Sequence, residues 1–411
     1  MVPVNRAGWG IIGRTSVLWS EEMKDLLLKM SVMAVSLAIG IVMCEVAIRY
    51  IEPQRLDFVR PIYDADEDLI FKLRKNHTSF YSQFEFNVEE NTNSVGLRDR
   101  EFGERDSESI RILGLGDSYA FGQGVSIEEA YIKQLEAGLQ DSLSKKVETI
   151  NAGVPAYGLV QEVRYLEKYG LGLDPDVVLV GFFIGNDIVD SYELFDSDGK
   201  ATIGVRDNYL FTRKARDEDG GIRGLTAPLR YQLATGSHLY IFLRNRFSGL
   251  LTQLGLRNMG SITEFCELEY TPYMDAQWSH TQDLLMELDQ ICQDNEKRLV
   301  IALIPLIYQV HDDIWKEYVS ILDIDESKYD MTKPQRLMLE FCAEKGIPCF
   351  DVLDPLREKG KDELLFFRVD GHLNAAGHRV MGRALTDYLT EFLAPDNDPA
   401  AAEMPSTSAR K

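Results

Sequence analysis

The sequence predicts an α/β protein in which helices cover both faces of a parallel β-sheet, preceded by a helix that spans a membrane. Short apolar stretches alternate with helix-length stretches from residue 110 to residue 393, which is the order of βαβ units. Residues 177–184 (VVLVGFFI) are all apolar, as is typical of a strand covered on both faces. Residues 30–44 carry no charge, and this run predicts the membrane helix.

With its apolar flanks the run covers residues 26–48, after a polar segment at residues 1–25, and only Lys29 and Glu45 interrupt it. As a helix it reaches about 34 Å, enough for a bilayer core of roughly 30 Å. No small-residue cleavage site follows it, and a methionine directly precedes Cys44, so the sequence favours a retained anchor over a cleaved signal. Positive charges on its two sides are nearly balanced and favour a cytoplasmic N-terminus only slightly.

Residues 52–108 predict an irregular lead-in, with a strand at residues 84–88 and turn-forming residues at 91–99. A domain over residues 109–394 follows. Its predicted elements are, in order, strand 110–115, helix 127–144, strand 147–151, helix 160–169, strand 177–184, helix 278–296, strand 299–304, helix 333–345, strand 347–351 and helix 374–393.

Residues 190–265 interrupt this alternation and are interpreted as an insertion. They contain turn-like acidic segments and an apolar-basic stretch at residues 239–256. Two interpretations stay open: the insertion covers a site or touches the membrane surface, or it packs on the domain as a structural excursion. Residues 395–411, rich in Ala, Pro, Ser and Asp, predict a disordered tail.

The charge balance excludes one class of partner. The 411 residues contain 44 Lys and Arg against 66 Asp and Glu, a formal net charge of −22. Such a surface repels phosphate backbones, and no basic stripe offsets it, so we expect no nucleic-acid partner. Neutral substrates such as acylated sugars suit this field better. The sequence does not identify a protein partner.

The five cysteines form neither a CxxC pair nor a zinc-type cluster. Cys44 lies in the apolar run. We interpret the other four as small core residues, with one or two disulfides outside the cytoplasm as the alternative. These four are Cys266, Cys292, Cys342 and Cys349.

Ser118 lies in a glycine-rich segment, residues 113–124 (LGLGDSYAFGQG), at the end of the first strand of the predicted domain. A turn from strand to helix there would expose its hydroxyl and direct backbone N–H groups at a developing oxyanion, as a nucleophile requires. A glycine-rich turn with Ser118 as a helix cap is the structural alternative. A phosphate-binding loop is not predicted, because neither a GKS/T ending nor a GxGxxG order is present.

Asn186 follows the longest apolar strand, within Gly185-Asn186-Asp187. Its side-chain amide can donate a hydrogen bond to an oxyanion, which an ionised aspartate cannot do. Asn and Asp are also ordinary turn residues at the end of a strand.

Two of the six histidines lie in residues 369–378 (VDGHLNAAGH), before and within the last helix. His372 can accept the serine proton and pass it to a leaving group, while Asp370 orients the imidazole or, alternatively, only forms a turn. We expect His378 on the helix surface. A metal bound by His372, His378 and Asp370 would lack a further ligand cluster, so we predict neither a metal nor another cofactor.

Together these segments resemble the sequence blocks of SGNH hydrolases, also called GDSL esterases. GDSYAFGQG resembles the nucleophile block, NAGVPAYG the second, GND the third and DGHLNAAGH the last, in the family's order and within residues 110–393. The resemblance implies a flavodoxin-like three-layer α/β/α fold and a triad of Ser118, His372 and Asp370. It also implies an oxyanion hole from the Ser118 N–H, the Asn186 side chain and a backbone N–H of the second block. Ala156 occupies a position there that is usually glycine, and Gly153 lies three residues before it.

The resemblance implies a serine hydrolase that cleaves esters of O-acylated glycans or lipids through an acyl-serine intermediate. The anchor is similar to that of membrane-anchored bacterial members, which implies a single-pass inner-membrane protein with a periplasmic or otherwise extracytoplasmic catalytic domain. The spacing Asp370-Gly-His372 is shorter than the usual Asp-x-x-His and resembles relatives that O-acetylate alginate-type polymers. Acyl transfer to an envelope polysaccharide or exopolysaccharide therefore stays open, as does a catalytically silent glycan-binding module.

Overall fold

The computed structural model describes residues 21–54, 56, 61–83, 85–188, 194–195, 201–206, 208–212, 229, 232–253, 264–322 and 324–394. It contains two compact units, Met1–Glu52 and Pro53–Lys411. Residues 1–20 of the predicted polar segment and the predicted tail at residues 395–411 lie outside the described residues.

The first unit contains one long helix, α1 (Glu21–Ile51). By length and composition, its residues Met23–Ile51 form a candidate membrane span or signal sequence, with a mean hydropathy of 2.2 and no buried residues. Both charged residues that interrupt the apolar run have an ion-pair partner one turn away: Lys29 pairs with Asp25 and Glu45 with Arg49, each at 2.7 Å. The predicted segment at residues 26–48 lies entirely within this helix.

The second unit begins with two antiparallel hairpins. Strand β1 (Tyr63–Asp66) pairs with β2 (Ile70–Leu73), and β3 (Thr78–Ser82) pairs with β4 (Asn87–Asn91). The predicted strand at residues 84–88 was wrong in position. The Gln83 N–H donates to the Phe86 carbonyl at 2.8 Å, and the strand starts at Asn87, while residue 84 lies outside the described residues.

A five-stranded parallel sheet forms the centre of this unit. Its strands are β5 (Ile110–Gly116), β6 (Val147–Asn151), β7 (Val177–Phe183), β10 (Arg298–Ile304) and β11 (Cys349–Asp351). The spatial order is β11-β10-β7-β5-β6. If the five strands are numbered 1 to 5 along the chain and read from the β6 edge, this order is 2-1-3-4-5, which confirms the predicted flavodoxin-like arrangement. Among the described residues of the predicted insertion, β8 (Ile203–Arg206) and β9 (Tyr209–Thr212) form a hairpin.

Helices connect and cover these strands: α2 (Ser118–Phe121), α3 (Tyr131–Ser142), α4 (Leu159–Tyr165), α5 (His238–Gln253), α6 (Pro272–Asp294), α7 (Ile307–Val310), α8 (Asp312–Leu322), α9 (Lys333–Lys345), α10 (Leu353–Gly360) and α11 (Ala375–Phe392). Helix α6 begins six residues before the predicted start, since Thr271 caps it by accepting from the Met274 N–H at 3.2 Å. Residues 239–253 of the predicted apolar-basic stretch lie within α5, and the rest of the stretch, with much of the insertion, lies outside the described residues.

The two faces of the sheet have separate cores, which makes the unit three-layered. In β7, Val178 and Val180 pack in one core with apolar residues of α4, α6 and α9. Val177 and Leu179 pack on the opposite face with residues of α3, α10 and α11. Burying each such side chain stabilises the fold by about 1.5–3 kcal/mol. The apolar character of residues 177–184 thus follows from burial on both faces.

All five cysteines are free thiols. Cys266, Cys292 and Cys342 are buried and Cys349 is half-buried, as expected of small core residues, whereas Cys44 is exposed on α1.

Candidate active site

Ser118 lies at the carboxyl end of β5, where the chain turns sharply into α2. Gly116 has a φ of +146°, and a Cβ there would lie 2.7 Å from Ala120 Cβ and 3.0 Å from the Gly181 carbonyl oxygen, so the turn needs glycine. The Asp117 carboxylate then caps α2 by accepting from the Tyr119 N–H at 2.8 Å. This position lies beside the switch point between β5 and β7, where open parallel sheets bind ligands.

The predicted triad is brought together. Ser118 Oγ lies 2.7 Å from His372 Nε2, although 254 residues separate them in sequence. His372 Nδ1 lies 2.5 Å from Asp370 Oδ1. The spacing Asp370-Gly371-His372 therefore brings carboxylate and imidazole together without a second intervening residue. All three side chains are buried, with Ser118 and His372 each 7% exposed.

Gln123 lies beside Asp370 and His372, although the sequence does not predict it as a site residue. Its side chain is fully buried, and Nε2 lies 3.3 Å from Asp370 Oδ2 and 3.0 Å from His372 Nδ1. The Gln123 N–H also donates to the Ser118 carbonyl at 3.0 Å. A buried amide that donates to Asp370 stabilises the carboxylate that orients the imidazole. The available signal was the position of Gln123 within the glycine-rich block.

The last helix, α11, begins shortly after Asp370 and His372 because Asn374 caps it. Asn374 Oδ1 accepts from the N–H groups of Ala376 at 2.9 Å and Gly377 at 3.1 Å. Its Nδ2 also donates to the Leu364 carbonyl at 2.7 Å. The cap thus anchors the loop that carries Asp370 and His372 at its C-terminal end.

Asn186 lies in the turn that follows β7. The Asp187 carboxylate accepts from the Phe183 N–H at 2.7 Å and so fixes this turn at the end of the strand. The Asn186 side chain is half-buried and hydrogen bonds to the Asp117 carboxylate. A primary amide has two N–H donors, which is the kind of group that can donate to an oxyanion.

The second block forms a tight turn over residues 154–157. The Tyr157 N–H donates to the Val154 carbonyl at 3.0 Å, and Ala156 has a φ of +69°. Pro155 and Ala156 thus occupy the central positions of a type II turn, the second of which favours glycine. The positive φ explains why glycine is favoured at this position, and the chain nevertheless has Ala156 there.

Gly153 has a role other than the predicted one. Its N–H donates to Asn151 Oδ1 at 3.0 Å, so this donor is already used within the second block. A Cβ at Gly153 would lie 2.3 Å from the Phe121 nitrogen, so the residue allows close packing against the nucleophile helix. Between Gly153 and Ala156, Ala156 is therefore the better predicted donor to an oxyanion.

Two buried carboxyl groups accompany the nucleophile turn. Burial raises the pKa of Asp117, although hydrogen bonds from Tyr119 and Asn186 and the charge of His372 act in the opposite direction. Burial, with a smaller contribution from the Asp117 charge, raises the pKa of Glu162 to about 8. Among the described residues, neither oxygen of the Glu162 side chain has a hydrogen-bond partner. Neither carboxyl group is predicted from the sequence as part of the site.

The expectation that His378 lies on a helix surface was wrong. Its side chain is fully buried between α11 and α3, where Nδ1 accepts from the Tyr131 N–H at 3.2 Å. Burial lowers the pKa of His378 to about 3, so the imidazole is neutral near pH 7. In the part of the chain that the structure describes, no group of three or more His, Cys, Asp or Glu side chains is arranged to hold a metal ion.

No family model matches this chain, and no curated protein matches it. Solved structures to which it is similar include a lipolytic protein of the G-D-S-L family from Desulfitobacterium hafniense, with a TM-score of 0.35 and 12% identity over 67% of this chain and 98% of that one. A second is a catalytic mutant of an acetylxylan esterase from Geobacillus stearothermophilus, with a TM-score of 0.37 and 13% identity over 68% and 93%. A third is a G-D-S-L family member from Veillonella parvula, with a TM-score of 0.36 and 13% identity over 68% and 98%.

Proposed function

We propose that this protein is a serine hydrolase that cleaves ester bonds through an acyl-Ser118 intermediate. The observation that carries the proposal is the continuous contact from Ser118 Oγ through His372 to Asp370, with distances of 2.7 and 2.5 Å, at the carboxyl end of a parallel sheet. A nucleophile, a base and a group that orients the base, in hydrogen-bond reach of one another, define the chemistry of acyl transfer.

In the proposed first half-reaction, His372 Nε2 takes the hydroxyl proton as Ser118 Oγ attacks the ester carbonyl carbon. The Ser118 and Ala156 N–H groups and the Asn186 amide stabilise the oxyanion of the tetrahedral intermediate. His372 then gives its proton to the departing alcohol oxygen, the ester C–O bond breaks, and the acyl group stays on Ser118.

In the second half-reaction His372 takes a proton from water, whose oxygen attacks the acyl carbon. The bond to Ser118 Oγ breaks, the serine regains its proton from His372, and the acid leaves. The same intermediate passes its acyl group to a sugar hydroxyl if that acceptor replaces water. The short Asp370-Gly371-His372 spacing favours this O-acetyltransferase as the second candidate.

O-acylated glycans are the proposed substrates, with lipid esters second, because a chain with a net charge of −22 repels polyanions. The candidate span Met23–Ile51 supports an anchored protein, and we propose a bacterial inner-membrane location with the catalytic unit in the periplasm. The buried triad favours an enzyme over a catalytically silent glycan-binding module, which has no need for an oriented imidazole beside a serine.

The test is fluorophosphonate labelling of the full-length protein in detergent, followed by peptide mapping, with p-nitrophenyl acetate hydrolysis measured in parallel. We expect a label on Ser118, and a loss of roughly 10⁴-fold or more in hydrolysis for Ser118→Ala. Ser142→Ala, on an exposed helix end, is the matched control and should retain full activity. An unlabelled wild-type Ser118 would overturn the proposal. Product that forms only with an added glycan acceptor would favour the acetyltransferase.

A further inference from the structure

The turn of the β3–β4 hairpin carries Glu85, which lies outside the predicted hydrolase domain. The Glu85 carboxylate accepts hydrogen bonds from three consecutive backbone N–H groups of the loop that precedes His372. Oε1 accepts from Arg368 at 2.6 Å, and Oε2 accepts from Val369 and Asp370, both at 2.9 Å. These three hydrogen bonds are charge-assisted, because the acceptor is a carboxylate, and together they hold the loop backbone against the Glu85 side chain.

These three amides are the ones that the loop does not satisfy by itself. The Phe367 N–H donates to the His372 carbonyl, and the Gly371 N–H donates to the Phe367 carbonyl, both at 2.8 Å. These two bonds close the loop over residues 367–372. The N–H groups of residues 368–370, which lie between Phe367 and Gly371, donate to Glu85 instead. Glu85 therefore supplies hydrogen-bond acceptors that the loop itself does not provide.

The same hairpin turn also packs against the loop that follows the nucleophile. The rings of Phe86 and Phe367 lie 4.9 Å apart between centroids. A Cβ at Gly124 would lie 2.6 Å from the Phe367 ring and 2.9 Å from the Phe86 ring, so the nucleophile loop contacts both. The hairpin turn thus contacts the segment that follows Ser118 as well as the loop that carries the base.

We propose that Glu85 is a positioning residue that holds Asp370 and His372 in register with Ser118. Asp370 links the two sets of contacts, because its N–H donates to Glu85 while its carboxylate lies 2.5 Å from His372. A displacement of this backbone moves the base relative to the nucleophile, and catalysis is sensitive to shifts of about 1 Å. The inference rests on the proposed function, and it makes the hairpin part of the catalytic machinery.

The test is Glu85→Gln in the full-length protein. Glutamine replaces one acceptor oxygen with an N–H₂ group, which opposes the loop amides. We expect kcat for p-nitrophenyl acetate, and the rate of Ser118 labelling by a fluorophosphonate, to fall by about tenfold to a hundredfold with KM nearly unchanged. Glu85→Asp keeps both acceptor oxygens and should restore part of the rate.

Glu317→Gln is the matched control, because Glu317 pairs with the Arg368 side chain on the same loop without accepting from its backbone. This variant should stay within about twofold of wild type, as an exposed ion pair contributes little. A Glu85→Gln protein that stays folded and keeps wild-type kcat would overturn the proposal. So would equal losses in both variants.

Hydrogen–deuterium exchange separates this inference from the proposed function. The amides of residues 368–370 should exchange faster in Glu85→Gln than in wild type, whether or not the protein has esterase activity. If Ser118 is not labelled in wild type, the proposed function fails while the exchange result still tests the Glu85 contacts. Unchanged exchange at these amides would overturn the proposal that Glu85 holds the loop.

Discussion

The Tyr119 hydroxyl donates a hydrogen bond to the Gly371 carbonyl at 3.0 Å, and its ring lies against the His372 imidazole, with centroids 4.7 Å apart. Phe183 packs against the same ring at 4.2 Å. Tyr119, the residue after Ser118, thus contacts the loop that carries His372 through both its hydroxyl and its ring.

Two substitutions separate the two contacts of Tyr119. Tyr119→Phe removes only the hydrogen bond and should lower kcat by less than about tenfold, the value of one neutral hydrogen bond. Tyr119→Ala also removes the ring against which His372 packs, and should lower kcat by at least about a hundredfold together with the melting temperature. Steady-state kinetics and thermal unfolding measure both effects. Equal losses in the two variants would contradict a positioning role for the ring.

The parallel sheet and the proximity of Ser118, His372 and Asp370 were predictable from sequence because both depend on local patterns. Apolar strands in βαβ order place their carboxyl ends at one edge of the sheet. Ser118 follows the end of β5, and His372 lies just before the last helix. Glu85 was not predictable in this way. Its contact with Asp370 spans 285 residues, and an acidic residue in a hairpin turn carries no signal of its partner.

Two other differences from the prediction have different causes. The strand predicted at residues 84–88 starts only at Asn87, because alternation of apolar residues does not show where the local Gln83–Phe86 hydrogen bond ends the turn. His378 was expected on the helix surface, but its hydrogen-bond partner is the Tyr131 backbone on another helix, 247 residues away in sequence. This long-range contact leaves no signal in the residues around His378.

Gln123 should matter for catalysis through Asp370. Gln123→Leu keeps similar volume but removes the buried donor that lies 3.3 Å from Asp370 Oδ2. A hydrogen bond to a charged group contributes about 1.5–3 kcal/mol, so kcat should fall by roughly tenfold to a hundredfold. Gln134→Leu is the control, since the Gln134 amide donates only to a backbone carbonyl at an exposed site, at 2.6 Å. A Gln123→Leu enzyme with wild-type kcat would argue against this role.

Ala156→Gly should leave the protein as stable as wild type or more stable by up to about 1 kcal/mol. An alanine with a φ of +69° is strained by about 1–2 kcal/mol, which glycine relieves at the cost of greater entropy in the unfolded chain. The N–H is kept, so kcat should not fall. Ala152→Gly, at a buried position in the same segment without a positive φ, should be destabilising by roughly 0.5–1 kcal/mol or more. Denaturant unfolding compares the two, and a larger loss at position 156 would contradict the argument.

Glu162→Gln should be more stable than wild type, and the difference in the free energy of unfolding should increase as the pH rises. Burial raises the pKa of Glu162 from 4.5 to about 8, so between these values the folded state keeps a proton that the unfolded chain releases. The contribution of Glu162 to stability therefore falls as the pH rises from 4.5 to 8 and levels off above. The neutral glutamine avoids this loss, and its advantage should grow to the order of a few kcal/mol near pH 8. Unfolding in urea at several pH values measures the difference.

Glu136→Gln is the control of opposite sign. Burial alone would raise the pKa of Glu136, but hydrogen bonds from Arg100 and Thr149 and the charge of Lys133 hold it below its usual value. Its ionised form therefore stabilises the folded state above the unfolded pKa of 4.5, and that contribution is lost as the pH falls through the lower folded value. Glu136→Gln should be destabilising at pH 7, where Glu162→Gln is stabilising. A pH-independent difference between wild type and Glu162→Gln would show that the carboxyl does not titrate in this window.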